Sequence, residues 1–238
     1  MSAFLYGFAL QWRLDVRSKS LLLTYYVVPL IFFLLMSGIF ISVMPEMRDT
    51  LIPSMTVMGV SMGTSIGFPS SLAEAYQSDV KKVYAANGVP LCFSWMAMFL
   101  SSMVHLLLMC LLIMLIAPMA FGAALPENIP LFFAALAIYI AASLGVGSVL
   151  GLAVRQQGKL TMLAQLVFLP SVMLSGIMFP AELLPRFLKG LGQMFPATWG
   201  YRALLDHGFR MENLWYFAAV LVLAAVTCGI LLKRQRAR

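Results

Sequence analysis

Ser65 stands inside Gly63-Thr64-Ser65-Ile66-Gly67, and His105 is the one histidine within an apolar stretch. The G-x-S-x-G spacing is that of a nucleophile elbow, where a neighbouring base takes the serine proton. An elbow needs a sharp strand-to-helix turn, however, and these five residues lie in a continuous helical run. No Asp or Glu falls within any apolar stretch to orient the imidazole. Small residues that let another helix approach closely explain the pattern more simply. An intramembrane serine hydrolase is therefore kept only as an alternative.

Other chemistries leave weaker traces. Of the 18 methionines, Met55, Met58 and Met62 fall near one helical face, as soft ligands for Cu(I) would. Methionine also fills adaptable apolar surfaces, and no cysteine pair or acidic ligand stands nearby. Cys92, Cys110 and Cys228 form no C-x-x-C pair and read as small buried apolar residues; no metal site is expected. Ion-coupled transport usually marks itself with carboxylates inside the membrane, and the apolar stretches hold none. No G-x-x-x-x-G-K-[ST] loop is present either, so the chain has no P-loop for ATP. Work done by this protein draws on an energy source outside the polypeptide.

The elements that position these residues are long and apolar. Six stretches contain no Asp, Glu, Lys or Arg: Leu21 to Met44, Leu51 to Ala73, Leu91 to Ile116, Leu131 to Leu152, Leu160 to Phe179, and Leu214 to Leu232. A helix needs roughly 20 apolar residues to cross the hydrocarbon core, and it satisfies its own backbone polar groups where no water can. With 62% hydrophobic and 11% charged residues, and a mean hydropathy of +0.93, the chain cannot cover a soluble surface. The sequence predicts an all-α polytopic membrane protein with six transmembrane helices.

Charge gives the orientation. Residues 1–20 form a basic amphipathic elbow helix, with Arg13, Arg17 and Lys19 among Phe4, Leu5, Phe8, Trp12 and Leu14, expected to lie along the cytoplasmic interface. With the N-terminus inside, eleven Lys and Arg fall on that side and five on the other, which puts both termini in the cytoplasm. The net charge of +7 is accounted for by this asymmetry, and no nucleic-acid partner is expected.

Within the six-span region, residues 21–238, two connections stand out. Residues 74–90 form a charged cytoplasmic segment carrying Glu74, Asp79, Lys81 and Lys82, with a stop at Asn87-Gly88 before Pro90. Residues 180–213 are outside, too long for a turn, and punctuated by Pro180, Pro185 and Pro196. Two short helices lying in or dipping into the outer leaflet are expected there. At 100° per residue, Ser54, Met58, Ser61, Met62 and Ser65 share a face of the second span. Thr161, Gln165, Ser171 and Ser175 read as a broad polar face of the fifth. These faces line a path for an amphipathic solute or serve as helix contacts.

The layout resembles the membrane subunits of ABC type-2 exporters, the drug and polysaccharide exporter permeases. The residues that carry the resemblance are Ser175, Gly176, Phe179, Pro180, Leu184, Pro185, Pro196, Tyr201 and Arg202, with Lys81, Lys82 and Pro90 as a weaker match to a cytoplasmic coupling segment. Val83-Tyr84 and Asn87-Gly88 depart from that segment's pattern. The resemblance implies a half-transporter in the plasma or inner membrane, paired with itself or a paralogous permease through spans one and five. Two copies of a separate ATPase subunit, which binds the ATP and Mg, would dock on the elbow and on Glu74, Asp79, Lys81 and Lys82. It further implies a path lined by Ser61, Met62, Ser65, Gln165, Met173 and Ser175 and an outer gate at Phe179 and Pro180. The uncharged path favours drugs or antimicrobial peptides, then lipids or glycans, then sodium. A membrane scaffold without transport is the remaining alternative.

Overall fold

The computed structural model describes residues 3–77, 90–178, 183–205 and 210–236, and every regular element among them is helical. In chain order these helices are α1 (Ala3–Arg17), α2 (Lys19–Val43), α3 (Leu51–Gln77), α4 (Leu91–Phe121), α5 (Ile129–Ala153), α6 (Gln157–Leu174), α7 (Arg186–Gly192), α8 (Pro196–Leu205) and α9 (Met211–Arg236). Five of them, α2 to α5 and α9, are long and apolar enough to cross a membrane. The chain breaks between α1 and α2 at Ser18, whose hydroxyl accepts from the Leu21 amide and caps α2.

The fifth apolar stretch behaves differently from its expected Leu160 to Phe179. It is helical over Gln157–Leu174, 18 residues or about 27 Å, and then turns at Gly176, whose φ of 90° suits glycine. Composition hides this end because Ser175, Gly176 and Ile177 are as free of charge as the helix before them. Two short helices, α7 and α8, follow in the connection to α9. Pro185 caps α7 and α8 begins at Pro196, where a missing N–H costs nothing.

Two prolines inside α2 and α3 set the local winding. Pro29 and Pro69 cannot donate to the carbonyl four residues back and would crowd it. Each follows a π-helical turn, Leu23–Val27 and Gly63–Gly67, that accommodates the mismatch. The turns face one another, with the Tyr25 ring against Gly63 and Gly67. The glycine-flanked Ser65 thus sits in a π turn within a continuous helix, with no strand before it.

Helix α3 is central. Every residue from Leu51 to Thr64 is buried, enclosed by α2, α4, α5, α6 and α8. By contrast α2 buries one stripe, Leu21, Tyr25, Pro29, Phe33, Ser37 and Phe40, and exposes Leu23, Ile31, Leu35 and Val43. Helix α9 does the same with Phe217, Ala224, Cys228 and Leu232 inward and Val222, Leu223, Val226 and Ile230 outward. Such continuous apolar exteriors are costly in water and cost nothing against lipid tails. Glycines of α5 bring the core together. A Cβ on Gly147 would stand 2.2 Å from the Thr64 carbonyl oxygen, one on Gly151 2.8 Å from that of Pro69, and one on Gly145 3.0 Å from Ala224 Cβ.

Candidate functional site

Where α3, α5, α6 and the start of α8 meet, hydroxyl groups collect. Ser61, Thr64, Ser65, Tyr139, Ser143 and Ser171 border a crevice of about 20 Å³, closed on one side by Pro196 and Ala197. The Ser61 and Tyr139 hydroxyls share a hydrogen bond at 2.9 Å, and Tyr139 also donates to the Val57 carbonyl at 3.2 Å. Thr64 turns its hydroxyl back to the Val60 carbonyl at 2.8 Å, the usual way for a helix to satisfy a threonine. No charged side chain borders the crevice. Removing the Tyr139 hydroxyl (Tyr139→Phe) should cost about 1 kcal/mol of stability. A thermal-denaturation comparison in detergent checks this.

The path residues read from the sequence divide between the interior and the surface. Ser61 and Met62 are buried and Ser65 is half-buried at the crevice. Gln165 and Met173 are exposed on the outer face of α6, beside Met162, Leu166 and Leu169. Ser175 is buried and donates to the Val172 carbonyl at 2.8 Å. The broad polar face expected on this helix is therefore divided by burial. Thr161 and Gln165 are exposed while Ser171 and Ser175 are buried, because the four positions span an arc of roughly 120° that straddles the edge of the buried face. Glu74 is exposed on the last turn of α3, near Gln77, which donates to the Val154 carbonyl at 3.3 Å. Asp79, Lys81, Lys82, Phe179 and Pro180 lie outside the described residues.

A second polar cluster was not foreseen. Helix α1 packs on α4 with Asp15 inward, 5% exposed, and Phe8, Gln11 and Trp12 half-buried, whereas Leu5, Tyr6, Leu10, Arg13, Leu14 and Arg17 face outward. The Asp15 carboxylate accepts from Gln11 at 2.7 Å and from the Ser101 hydroxyl. His105 Nε2 stands 4.0 Å from Asp15 Oδ2 without a hydrogen bond, Nδ1 pairs with the Tyr26 hydroxyl at 2.8 Å, and Trp12 stacks on the ring at 4.2 Å. Beside them Tyr25 donates to Ser102 at 2.9 Å. Burial pushes the Asp15 carboxyl above its ordinary value, and the bonds from Ser101 and Gln11 offset part of that.

The acid near the imidazole lies outside the apolar stretches, where none was found. The carboxylate comes from α1, in a segment that its arginines mark as interfacial. The signal available was the helical face Phe8, Gln11, Trp12 and Asp15, which carries the only acid before Glu46. Ser65 and His105 do not pair as nucleophile and base. Ser65 makes no hydrogen bond among the described residues, and His105 is held by Tyr26, Trp12 and Asp15 instead.

Residues 42–232 match the family described as ABC-2 family transporter protein. Comparison with curated proteins finds no match.

Proposed function

The chain belongs to the ABC-2 transporter family, and from that premise we propose that it is the permease subunit of an exporter moving an amphipathic solute outward. Members of the family are membrane transport components that work with an ATP-binding subunit. The observation that carries the proposal is the extent of the match, which takes in three of the five apolar helices whole, most of a fourth, and the crevice between them.

In this reading α6 is a sixth span, both termini face the cytoplasm of the plasma or inner membrane, and two permeases pair along α2 and α6. The exposed apolar faces of those helices support the pairing. The path runs over Gln165 and Met173 toward Ser61, Met62, Ser65 and Ser175, and Phe179 and Pro180 with α7 and α8 form the outer gate. Proximity of Pro196 and Ala197 to Ser61 and Ser65 supports an outer segment that dips into the bilayer. Glu74, Asp79, Lys81 and Lys82 take the thrust of two ATPase subunits carrying Mg and ATP.

Two measurements test this. Affinity purification in mild detergent should bring down a stoichiometric P-loop ATPase whose hydrolysis responds to amphipathic solutes; a chain that purifies alone sinks the proposal. Reversing charge at the coupling segment (Lys81→Glu with Lys82→Glu) should leave membrane insertion intact and cut solute-stimulated hydrolysis several-fold. Unchanged stimulation removes these lysines from the docking site.

A further inference from the structure

Beside the hydroxyl-lined crevice lies a second cavity, of about 360 Å³, among α5, α6, α7, α8 and α9. Val167, Leu174, Leu191, Phe195 and Val220 are among its walls, and its one polar side chain, Tyr216, is already committed, donating to the Met194 carbonyl at 2.8 Å. The two spaces share Val146, Val167 and Pro196 in their linings, so they adjoin at these three residues.

Their sizes and linings are complementary. The larger lies at the low end of the roughly 300–1,000 Å³ typical of small-molecule sites. The smaller, about 20 Å³, exceeds the roughly 10–15 Å³ that one water needs, so it takes a single hydroxyl or carbonyl and no larger head. It also holds unspent hydrogen-bonding capacity. Ser143 is 8% exposed as a residue, and its hydroxyl oxygen, buried beside the Tyr139 hydroxyl, makes no hydrogen bond of good geometry. The Ser65 and Ser171 hydroxyls border the same space. Neither cavity carries a charged side chain, so an ionic solute would be stripped of water with nothing to compensate it.

We infer that the paired cavities form one binding site for an uncharged amphipath, with an apolar body in the larger space and a single hydroxyl or carbonyl reaching Ser143 and Ser171. The inference rests on the transport reading and names the chemistry of the solute taken up. It excludes fixed charge at the end that enters the crevice, and it separates a solute from a bilayer lipid. A phospholipid can lend a tail to the larger cavity, but its head cannot enter the smaller.

The test uses the full chain in lipid nanodiscs and a long-chain alcohol bearing a diazirine at the end remote from its hydroxyl. Photolabelling followed by peptide mapping should mark Leu174, Leu191, Phe195 or Val220. Competition by 1-dodecanol should require about tenfold less compound in the membrane than competition by dodecane, a ratio of the size one buried hydrogen bond confers. Filling the larger cavity (Val167→Trp) should abolish the label. The gentler pair Ser143→Ala and Ser171→Ala should keep the label and make the two competitors equal. Equal competition in the native chain overturns the inference and reduces the cavity to a groove for bilayer tails, as does labelling spread evenly over the exposed helices. None of these readouts needs the ATPase. Correct labelling with a purified chain that has no ATPase partner therefore sinks the transport reading and leaves the site standing.

Discussion

Adding one carbon at Gly147 (Gly147→Ala) should lower the thermal midpoint of the permease by roughly 10 °C or prevent its recovery as a monodisperse protein. The new Cβ would lie 2.2 Å from the Thr64 carbonyl oxygen, inside any permitted contact. A flexible side chain can swing away from such an intrusion, but a backbone carbonyl cannot. Thr64 moreover belongs to the π turn that holds Pro69 in α3, so giving way would disturb the winding of the central helix. The only relief is separation of α5 from α3, and those are the helices that enclose the hydroxyl crevice. Gly229→Ala supplies the control. No atom lies within 4 Å of its added carbon, so it should be neutral or slightly stabilising through the unfolded chain. Fluorescence-detected size-exclusion chromatography with a thermal ramp reads both. A Gly147→Ala protein as stable as the native one would mean that α3 and α5 do not approach so closely.

Those glycines also show what could be read before the fold was known. Gly145, Gly147 and Gly151 sit in a charge-free run, and small residues in such a run report close helix packing whichever neighbour they meet. The apolar helices were legible for the same reason, since absence of charge over some 20 residues has one main physical meaning. Where composition carried no contrast, the reading failed. The end of α6 at Leu174 is invisible because the buried turn after it is equally apolar. The polar face assigned to that helix spans an arc wide enough to straddle the edge of the buried side, leaving Gln165 exposed and Ser171 inside.

Asp15 escaped notice for a different reason. Its arginine neighbours say interface and its own charge says water, yet Asp15, Gln11 and Trp12 turn toward Ser101 and His105, far along the chain. Leu5, Leu10 and Leu14 share the exposed side with Arg13 and Arg17, so polarity alone does not tell which side of α1 is buried. In the hydroxyl crevice, Ser61 and Ser65 were visible from their spacing on one helix. Tyr139 and Ser143 were not, because nothing in a single sequence says which face of α5 meets α3.

Acidification should tighten the hold of α1 on α4, and Asp15→Asn should abolish that dependence. Burial raises the docked carboxyl above its ordinary 3.8, so the docked helix binds a proton more tightly than the released one. The contribution is full below 3.8 and is lost as pH rises through the docked value. The groups facing Asp15 are His105 and Ser101 from α4, Gln11 from α1 itself, and Tyr25 and Tyr26 from α2 close behind. Hydrogen exchange of residues 5–17 in nanodiscs, corrected for the intrinsic rate at each pH, gives the protection directly. In the native chain protection should fall as pH rises, and in Asp15→Asn it should be flat. Asp15→Ala, which removes the acceptor of both the Gln11 and the Ser101 bonds, should lose protection by about 1–3 kcal/mol at every pH. His105→Gln separates the two titrating partners. A slope that survives it belongs to the carboxyl, whereas a slope that vanishes assigns the proton to the imidazole and refutes the role given to Asp15. Either slope would bear on transport, because α4 begins at Leu91, directly after the segment on which the proposed ATPase pushes.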